Sequence, residues 1–423
     1  MIVLISIIFF LFLTLGFPIF LSLFATSAST ILRYFPNMTP SVIAQRMISG
    51  IDVFSLLSIP GFILTAEVIG GGEIGKRLVK FTRSLVGHLH GGLAIAVVLT
   101  CMIFGAISGA GGAAIVAIGS LVYPLLIESG YGRKFSIGLI LSASTLAMLI
   151  PPGIAMILYA TLTNNSIGSI FMSGLGTGIF VGIILMIYCL VYSIVKKVPL
   201  QKRATLKEIG ISIKESFWAL GLPVIIVGGI YSGYFTATEA ASISAVYAIF
   251  VESVIYRNFT IKKLWRVAAK TGADTAMLFM LIASGALLSW VFTISQIPQA
   301  VAATLGNFSP IVVFFLINAI FLIAGMFIDP NSAIIVLVPI LYPIAIKVGM
   351  NPIQMSMVIV FNLAIGMLTP PFGLNLFVGS QTLKASYTDT VKSSLIFIFL
   401  MLIGLVMVTF IPSISTWLPN LMK

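Results

Sequence analysis

Four short stretches of this chain set polar or helix-breaking residues inside apolar runs, where freed backbone groups can meet an ion or an acid. They read Gly105-Ala106-Ile107-Ser108-Gly109-Ala110-Gly111-Gly112, Pro151-Pro152-Gly153, Ile328-Asp329-Pro330-Asn331-Ser332 and Pro370-Pro371-Phe372-Gly373. Proline has no N–H and clashes with the carbonyl one turn back, so each Pro-Pro pair leaves carbonyls unpaired. A helix resuming at Gly153, and another after Gly373, presents free N–H groups and a positive dipole end. Free carbonyls suit a cation, whereas free N–H groups suit a carboxylate. Ser142, Ser144 and Thr145 precede the first break; Asn362 and Thr369 precede or adjoin the second, and Asn375 follows it.

The glycine-rich stretch costs helix stability, about 1 kcal/mol per glycine relative to alanine. It reads as a turn whose carbonyls, with Ser108 Oγ, suit sodium. Close helix packing by small residues is the other reading of the same glycines. In the third stretch, Asp-Pro-Asn-Ser is turn chemistry, with Asn331 or Ser332 able to cap the following helix. Asp329 is an ionisable residue between apolar runs, a candidate for sodium or a proton. Its charge would also be favourable at a helix N-terminus without any ion.

These elements come in duplicate. Tyr123-Pro124 and Pro151-Pro152 recur as Tyr342-Pro343 and Pro370-Pro371, each 219 residues later (342 − 123 and 370 − 151). Interrupted helices at corresponding points of two halves point to the binding site of a secondary transporter. Composition places the elements in a membrane: 59% of the 423 residues are hydrophobic, only 8% are charged, and the mean hydropathy is +1.17. Soluble domains carry about 25% charged residues. At roughly 20 apolar residues per crossing, the length allows about ten to twelve crossings. The start of the chain, with neither a basic head nor a cleavage motif, reads as retained spans. Cys101 and Cys189 lie in apolar runs and imply no disulfide or metal framework.

The expected fold is an all-α polytopic membrane protein of two inverted-topology repeats, residues 1–210 and 211–423. Each has five crossings, an interfacial arm helix, a re-entrant hairpin and one broken helix. The crossings are expected at 1–16, 19–33, 51–72, 135–160 and 168–195, then at 215–232, 236–256, 272–295, 353–380 and 389–412. Residues 92–128 and 309–349 form the hairpins, while 135–160 and 353–380 are the broken helices. Five crossings per half, an odd number, turn the second copy upside down. With the basic loop 196–214 in the cytoplasm, all 23 Lys and Arg residues fall inside except Arg33, Arg46, Lys347 and Lys423, as the positive-inside rule requires. The net charge of +12 is therefore spread over cytoplasmic loops and does not point to nucleic acid.

Residues 73–87 are amphipathic, with Ile74, Leu78, Phe81 and Leu85 on one side and Lys76, Arg77, Lys80 and Arg83 on the others. They read as an arm helix in the interface, basic side towards anionic headgroups. An uncharged counterpart spans 296–305. Thr236-Ala237-Thr238-Glu239 reads as a helix cap, and Asp52, Asp274 and Glu67 as weaker acid candidates.

Taken together, Gly105-Ala-Ile-Ser108-Gly109, Ile150-Pro151-Pro152, Gly221-Leu-Pro223, Phe235-Thr-Ala-Thr238-Glu239, Gly325-Met-Phe-Ile-Asp329 and Thr369-Pro370-Pro371-Phe-Gly373 carry a resemblance. Over essentially its whole length the chain resembles the large membrane subunit of tripartite ATP-independent periplasmic (TRAP) transporters. The resemblance implies sodium-coupled organic-acid uptake across a bacterial inner membrane, without any cofactor beyond Na+. It implies a periplasmic binding protein that delivers substrate and a small four-helix membrane subunit that braces a scaffold domain. A transport domain would move past that scaffold like an elevator. Ser108, Gly109, Ser144, Thr145, Pro151 and Gly153 are expected around a first sodium. Asp329, Asn331, Ser332, Thr369 and Gly373 are expected around a second, and Ser108, Gly153, Asn331, Gly373 and Asn375 around the substrate.

Ala110 and Gly111 stand where the family often has a second hydroxyl and a further polar residue, and Gly153 where it often has serine. The first site therefore leans on backbone carbonyls. A channel and an intramembrane enzyme are the competing classes. No histidine lies within an apolar span to serve Ser108 as a base, and no phosphate-binding loop supports ATP-driven pumping.

Overall fold

The computed structural model describes residues 1–305 and 308–421, which excludes Lys423 from the charge topology above. Among these residues the fold is helical, and nine helices are long and apolar enough to cross a membrane. At its centre lie Arg133–Leu149 and Pro352–Gly366, the helices that precede the two proline breaks. Every residue from Phe135 to Leu149 and from Gln354 to Gly366 is buried. A helix apolar on all sides is stable only when it is surrounded. Some of the polar groups among them are paired, though Ser142 Oγ and Asn362 Oδ1 have no partner among the described residues: Gln354 Nε2 donates to the carbonyls of Val408 at 3.0 Å and Thr409 at 2.8 Å. Asn362 Nδ2 donates to Asn318 Oδ1 at 2.8 Å.

Each central helix is flanked by a hairpin. Gly92–Ser108 and Gly111–Glu128 form the first, with Gly109 and Ala110 at its tip; Pro310–Phe327 and Pro330–Lys347 form the second, with Ile328 and Asp329 at its tip. The arms are 17 or 18 residues long, about 26 Å of helix at 1.5 Å per residue. Small residues bring the second hairpin close to the core. A Cβ on Gly366 would stand 2.6 Å from the backbone of Gly325, so only glycine permits this approach.

After each break the chain resumes as a short helix, Ile154–Thr163 or Leu374–Thr382. Ile154–Thr163 packs on Pro330–Lys347 of the second hairpin, and Leu374–Thr382 packs on Gly111–Gly119 of the first. The outer helices cross in the same way. Ala237–Phe250 packs on Ser58–Gly70, and Ile261–Ile294 packs on Ile19–Tyr34.

Several boundaries differ from expectation. The crossing expected at 215–232 begins at Leu206, because Thr205 and Glu208 close a capping box. The crossing expected at 272–295 begins at Ile261, capped by the Thr260 hydroxyl, and runs 34 residues. Ser41–Ile51, not expected, is a separate helix bent 64° from Phe54–Gly70. Thr236 and Glu239 form the anticipated cap.

The arm helix Ile74–Val86 forms as expected, but it buries a different stripe: Ile74, Leu78, Val79 and Thr82 pack inward, while Leu85 is exposed. Its basic residues also meet protein groups, while Lys76 and Lys80 remain more than half exposed. Lys76 pairs with Glu73 at 2.7 Å, Lys80 with Glu215 at 2.6 Å, and Arg83 Nε donates to Gln201 at 3.0 Å. The Arg77 guanidinium lies 3.9 Å over the Tyr256 ring. The cause is the early start of the helix at Leu206, which lays Glu215 along the arm. The Glu252 carboxylate is fully buried and accepts the N–H groups of Glu73 at 2.9 Å and Ile74 at 3.0 Å.

That clamp fixes the arm's N-terminus to the second half of the chain. Glu252→Ala should speed amide exchange at residues 73 and 74 by about tenfold or more, since an orphaned buried donor costs about 1–3 kcal/mol. Hydrogen-exchange mass spectrometry of the detergent-solubilised protein measures this. Unchanged exchange there would show that the carboxylate does not hold the arm.

Candidate functional site

The first hairpin ends because Gly109 adopts a left-handed conformation, φ +61°, that terminates Gly92–Ser108. A Cβ there would collide with the Pro152 carbonyl oxygen and stand 3.3 Å from Gly153 Cα. The tip is thus seated directly on the first proline break. Two residues on, a Cβ at Gly111 would meet the Ser144 carbonyl at 3.2 Å and Asn375 Nδ2 at 3.3 Å. Asn375 comes from the helix after the second break, so this one turn touches both interrupted helices. Its side chain is fully buried, with both amide atoms lacking a hydrogen-bond partner among the described residues.

The second tip is organised by Asp329. Its Oδ1 accepts the N–H groups of Asn331 at 3.0 Å and Ser332 at 3.1 Å, and its Oδ2 binds the Ser332 hydroxyl. Asp329, not Asn331 or Ser332, is therefore the cap of Pro330–Lys347. A carboxylate at that end also complements the helix dipole. The second break is anchored to this hairpin by Gly373 N–H, which donates to the Met326 carbonyl at 3.1 Å.

Both tips open onto shared space. A cavity of about 700 Å³ is lined by Gly109, Ala110, Asp329 and Asn331. A second, of about 460 Å³, is lined by Ser108, Ala110, Asp329, Asn331 and Ser332. Glu67 and Ile154 border both. Five expected site residues, Ser108, Gly109, Asp329, Asn331 and Ser332, are thereby brought together. Ser144, Thr145, Pro151, Gly153 and Asn375 lie behind them, buried, and line neither cavity. Thr369 and Gly373 also stand outside the cavity walls.

The two breaks are not equivalent. Pro151, Pro152 and Gly153 are buried, whereas Pro371 is exposed. Both Pro-Pro peptide bonds are cis. The carbonyls expected to be free at the second break are partly taken, because the Tyr387 hydroxyl donates to Pro371 O at 2.8 Å and Phe372 O at 3.0 Å. The Thr369 hydroxyl donates to Ile365 O at 2.8 Å, which leaves its oxygen lone pairs free to accept.

The sequence reading missed the cations of this site. Arg266 and Lys270 line the larger cavity, and Lys270 Nζ holds both oxygens of Glu67 at 2.8 Å. Both fall between the crossings expected at 236–256 and 272–295, yet Thr260 followed by Ile261-Lys262-Lys263 is a helix start that places them on a wall. Asp274, one of the weaker acid candidates, lines the smaller cavity.

Interrupted helices, two hairpins and a common cavity are the framework of a membrane transporter. The same fold occurs in the Alcanivorax borkumensis YdaH transporter, whose crystal structure aligns with a TM-score of 0.63 at 13% identity, covering 92% of this chain and 89% of that one. Residues 6–414 match the family described as tripartite ATP-independent periplasmic transporter, DctM component, and the chain belongs to it. It is 40% identical over 401 residues to the C4-dicarboxylate TRAP transporter large permease protein DctM of Pseudomonas aeruginosa, covering 94% of each chain. It is also 36% identical over 412 residues to the ectoine TRAP transporter large permease protein TeaC of Halomonas elongata, covering 97% of this chain and 96% of that one. The protein is a multi-pass transporter permease and not an intramembrane enzyme.

Gly109 is the position where the site tolerates least. Gly109→Ala should lower the unfolding temperature by several degrees, because a left-handed non-glycine residue costs about 1–2 kcal/mol before the clash with Pro152 is counted. Thermal unfolding followed by intrinsic fluorescence checks this, with Gly112→Ala, which has only Asn375 Oδ1 at 3.9 Å, as the tolerated control.

Proposed function

We propose that this permease couples inward sodium movement to uptake of an organic acid across a bacterial inner membrane. A periplasmic binding protein hands over the acid, and a small four-helix membrane subunit braces the scaffold. The observation that carries the reading is that both hairpin tips, through Ala110 and Asp329, share the same cavities. A carboxylate, backbone carbonyls and hydroxyls at one turn are the oxygen ligands that a hard monovalent cation prefers.

Residues 1–210 and 211–423 act as two inverted repeats in this proposal. Reciprocal packing supports it, since each post-break helix lies on the other half's hairpin and each half's third crossing lies on the other half's second. Ser108, Gly109, Ser144, Thr145, Pro151 and Gly153 surround the first sodium, the last four supplying buried support behind the tip. Asp329, Asn331, Ser332, Thr369 and Gly373 surround the second. The substrate meets Ser108, Asn331 and the resuming helices at Gly153, Gly373 and Asn375. Hairpins and broken helices then slide as one body past the helices Ile19–Tyr34, Ser58–Gly70, Ala237–Phe250 and Ile261–Ile294. The named relatives carry a C4-dicarboxylate and ectoine, so small carboxylate-bearing solutes are the class proposed here.

Asp329 allows the two roles of its carboxylate to be separated. Asparagine caps helices about as well as aspartate, so Asp329→Asn should leave the unfolding temperature within a few degrees of the parent. Sodium affinity should nevertheless fall on the order of tenfold to a hundredfold, the usual scale for losing part of a metal site. The measurement is sodium-dependent uptake in proteoliposomes holding the complete transporter with its binding protein. Unaltered sodium activation in Asp329→Asn would reduce this residue to a cap.

A further inference from the structure

The two cavities differ in charge. Arg266 and Lys270 face Glu67 and Asp329 in the larger one, whereas Glu67, Asp274 and Asp329 line the smaller with no Lys or Arg among them. Glu67 and Lys270 neutralise one another through two 2.8 Å contacts. The Asp329 charge is spread over two N–H groups and a hydroxyl. Arg266 is exposed and has no hydrogen-bond or ion-pair partner among the described residues. Its positive charge is therefore the unbalanced one in the larger cavity, and the Asp274 carboxylate, which has no hydrogen-bond or ion-pair partner among the described residues, is the unbalanced one in the smaller. Clefts with low-dielectric walls focus such fields and raise the local concentration of the opposite charge.

We propose that the paired cavities are charge-sorted: Arg266, seconded by Lys270, makes the larger one a subsite for the carboxylate of the transported acid, while Asp274 and Glu67 make the smaller one collect small cations. The inference rests on the reading of this space as the transport path. The guanidinium suits the role because its planar fork matches a carboxylate in two hydrogen bonds. Arg266 stands on Ile261–Ile294, not on a hairpin or a broken helix. A substrate that reaches it has left the tips on one side of the cavity. Lys270 joins when a cation competes for Glu67, so ion and acid occupancy are linked through that pair.

The test reads local potential directly and needs no known substrate. Val116 lines the larger cavity but not the smaller, and Met277 the smaller but not the larger. Val116→Cys and Met277→Cys, each in the complete transporter in lipid nanodiscs, are labelled with an anionic sulfonatoethyl or a cationic trimethylammonium-ethyl methanethiosulfonate. Cys101 and Cys189 are buried, and the parent protein supplies the background rate. The anion-to-cation rate ratio should be about tenfold higher at position 116 than at position 277. Arg266→Gln should collapse the ratio at 116 and leave it unchanged at 277, and Arg266→Lys should keep it, which controls for folding. Glu67→Gln should raise the ratio at both positions, at 116 by freeing Lys270 and at 277 by removing a carboxylate. Equal ratios at the two positions, or a ratio at 116 that ignores Arg266→Gln, would overturn the proposal; a flat response to Glu67→Gln would remove Lys270 from it. Sodium-driven succinate and ectoine uptake by the same preparations reports separately on the transport reading, so either idea can fail alone.

Discussion

A bilayer supplies no water to an unpaired N–H or C=O, so a helix broken within it must find partners in the protein itself. Most of this architecture answers that requirement. The first break is roofed by Gly109, whose missing side chain lets the hairpin turn lie directly on the Pro152 carbonyl. The second break is tied by Gly373 N–H to Met326 O and by the Tyr387 hydroxyl to Pro371 and Phe372. Two helices buried from Phe135 to Leu149 and from Gln354 to Gly366, and two flanking hairpins, follow from the need to keep those breaks away from lipid.

The hairpins and breaks were legible because they rest on local chemistry. Glycine and proline act within a turn or two, and the repetition of the proline breaks 219 residues later marks them as a related pair. The Thr236 cap was legible for the same reason. What escaped was decided by tertiary packing or by weak local signals. Thr205 and Glu208 carry a capping signature, yet Lys202, Arg203 and Lys207 around them look like a basic loop. With that start goes Glu215, the residue that pairs with Lys80 of the arm helix. Missing the start at Ile261 hid Arg266 and Lys270 in the same way. Glu67 was visible but not its partner, because an ion pair spanning about 200 positions leaves no mark in either neighbourhood.

The backbone and the charges obey different symmetries. Packing between the halves is reciprocal, as the proposed inverted repeats require, and alternating access needs two nearly equivalent arrangements. The ionisable residues have no such reciprocity. Shifted by 219 positions, Asp329 falls on Ala110, Glu67 on Ala286, and Arg266 and Lys270 on Met47 and Ile51. A fully symmetric pair of tips would treat anion and cation alike at both. With the carboxylate confined to one tip and the free guanidinium to one wall, the cavity gains polarity that the fold alone cannot give it. Glu67 and Lys270 lie where those two fields meet, each satisfied by the other until a solute of either sign arrives. In the proposed co-transport, an ion that draws Glu67 away would expose Lys270 to an acid, and an acid that draws Lys270 away would expose Glu67 to an ion. Each event would lower the electrostatic cost of the other, which is the reciprocal coupling that co-transport demands.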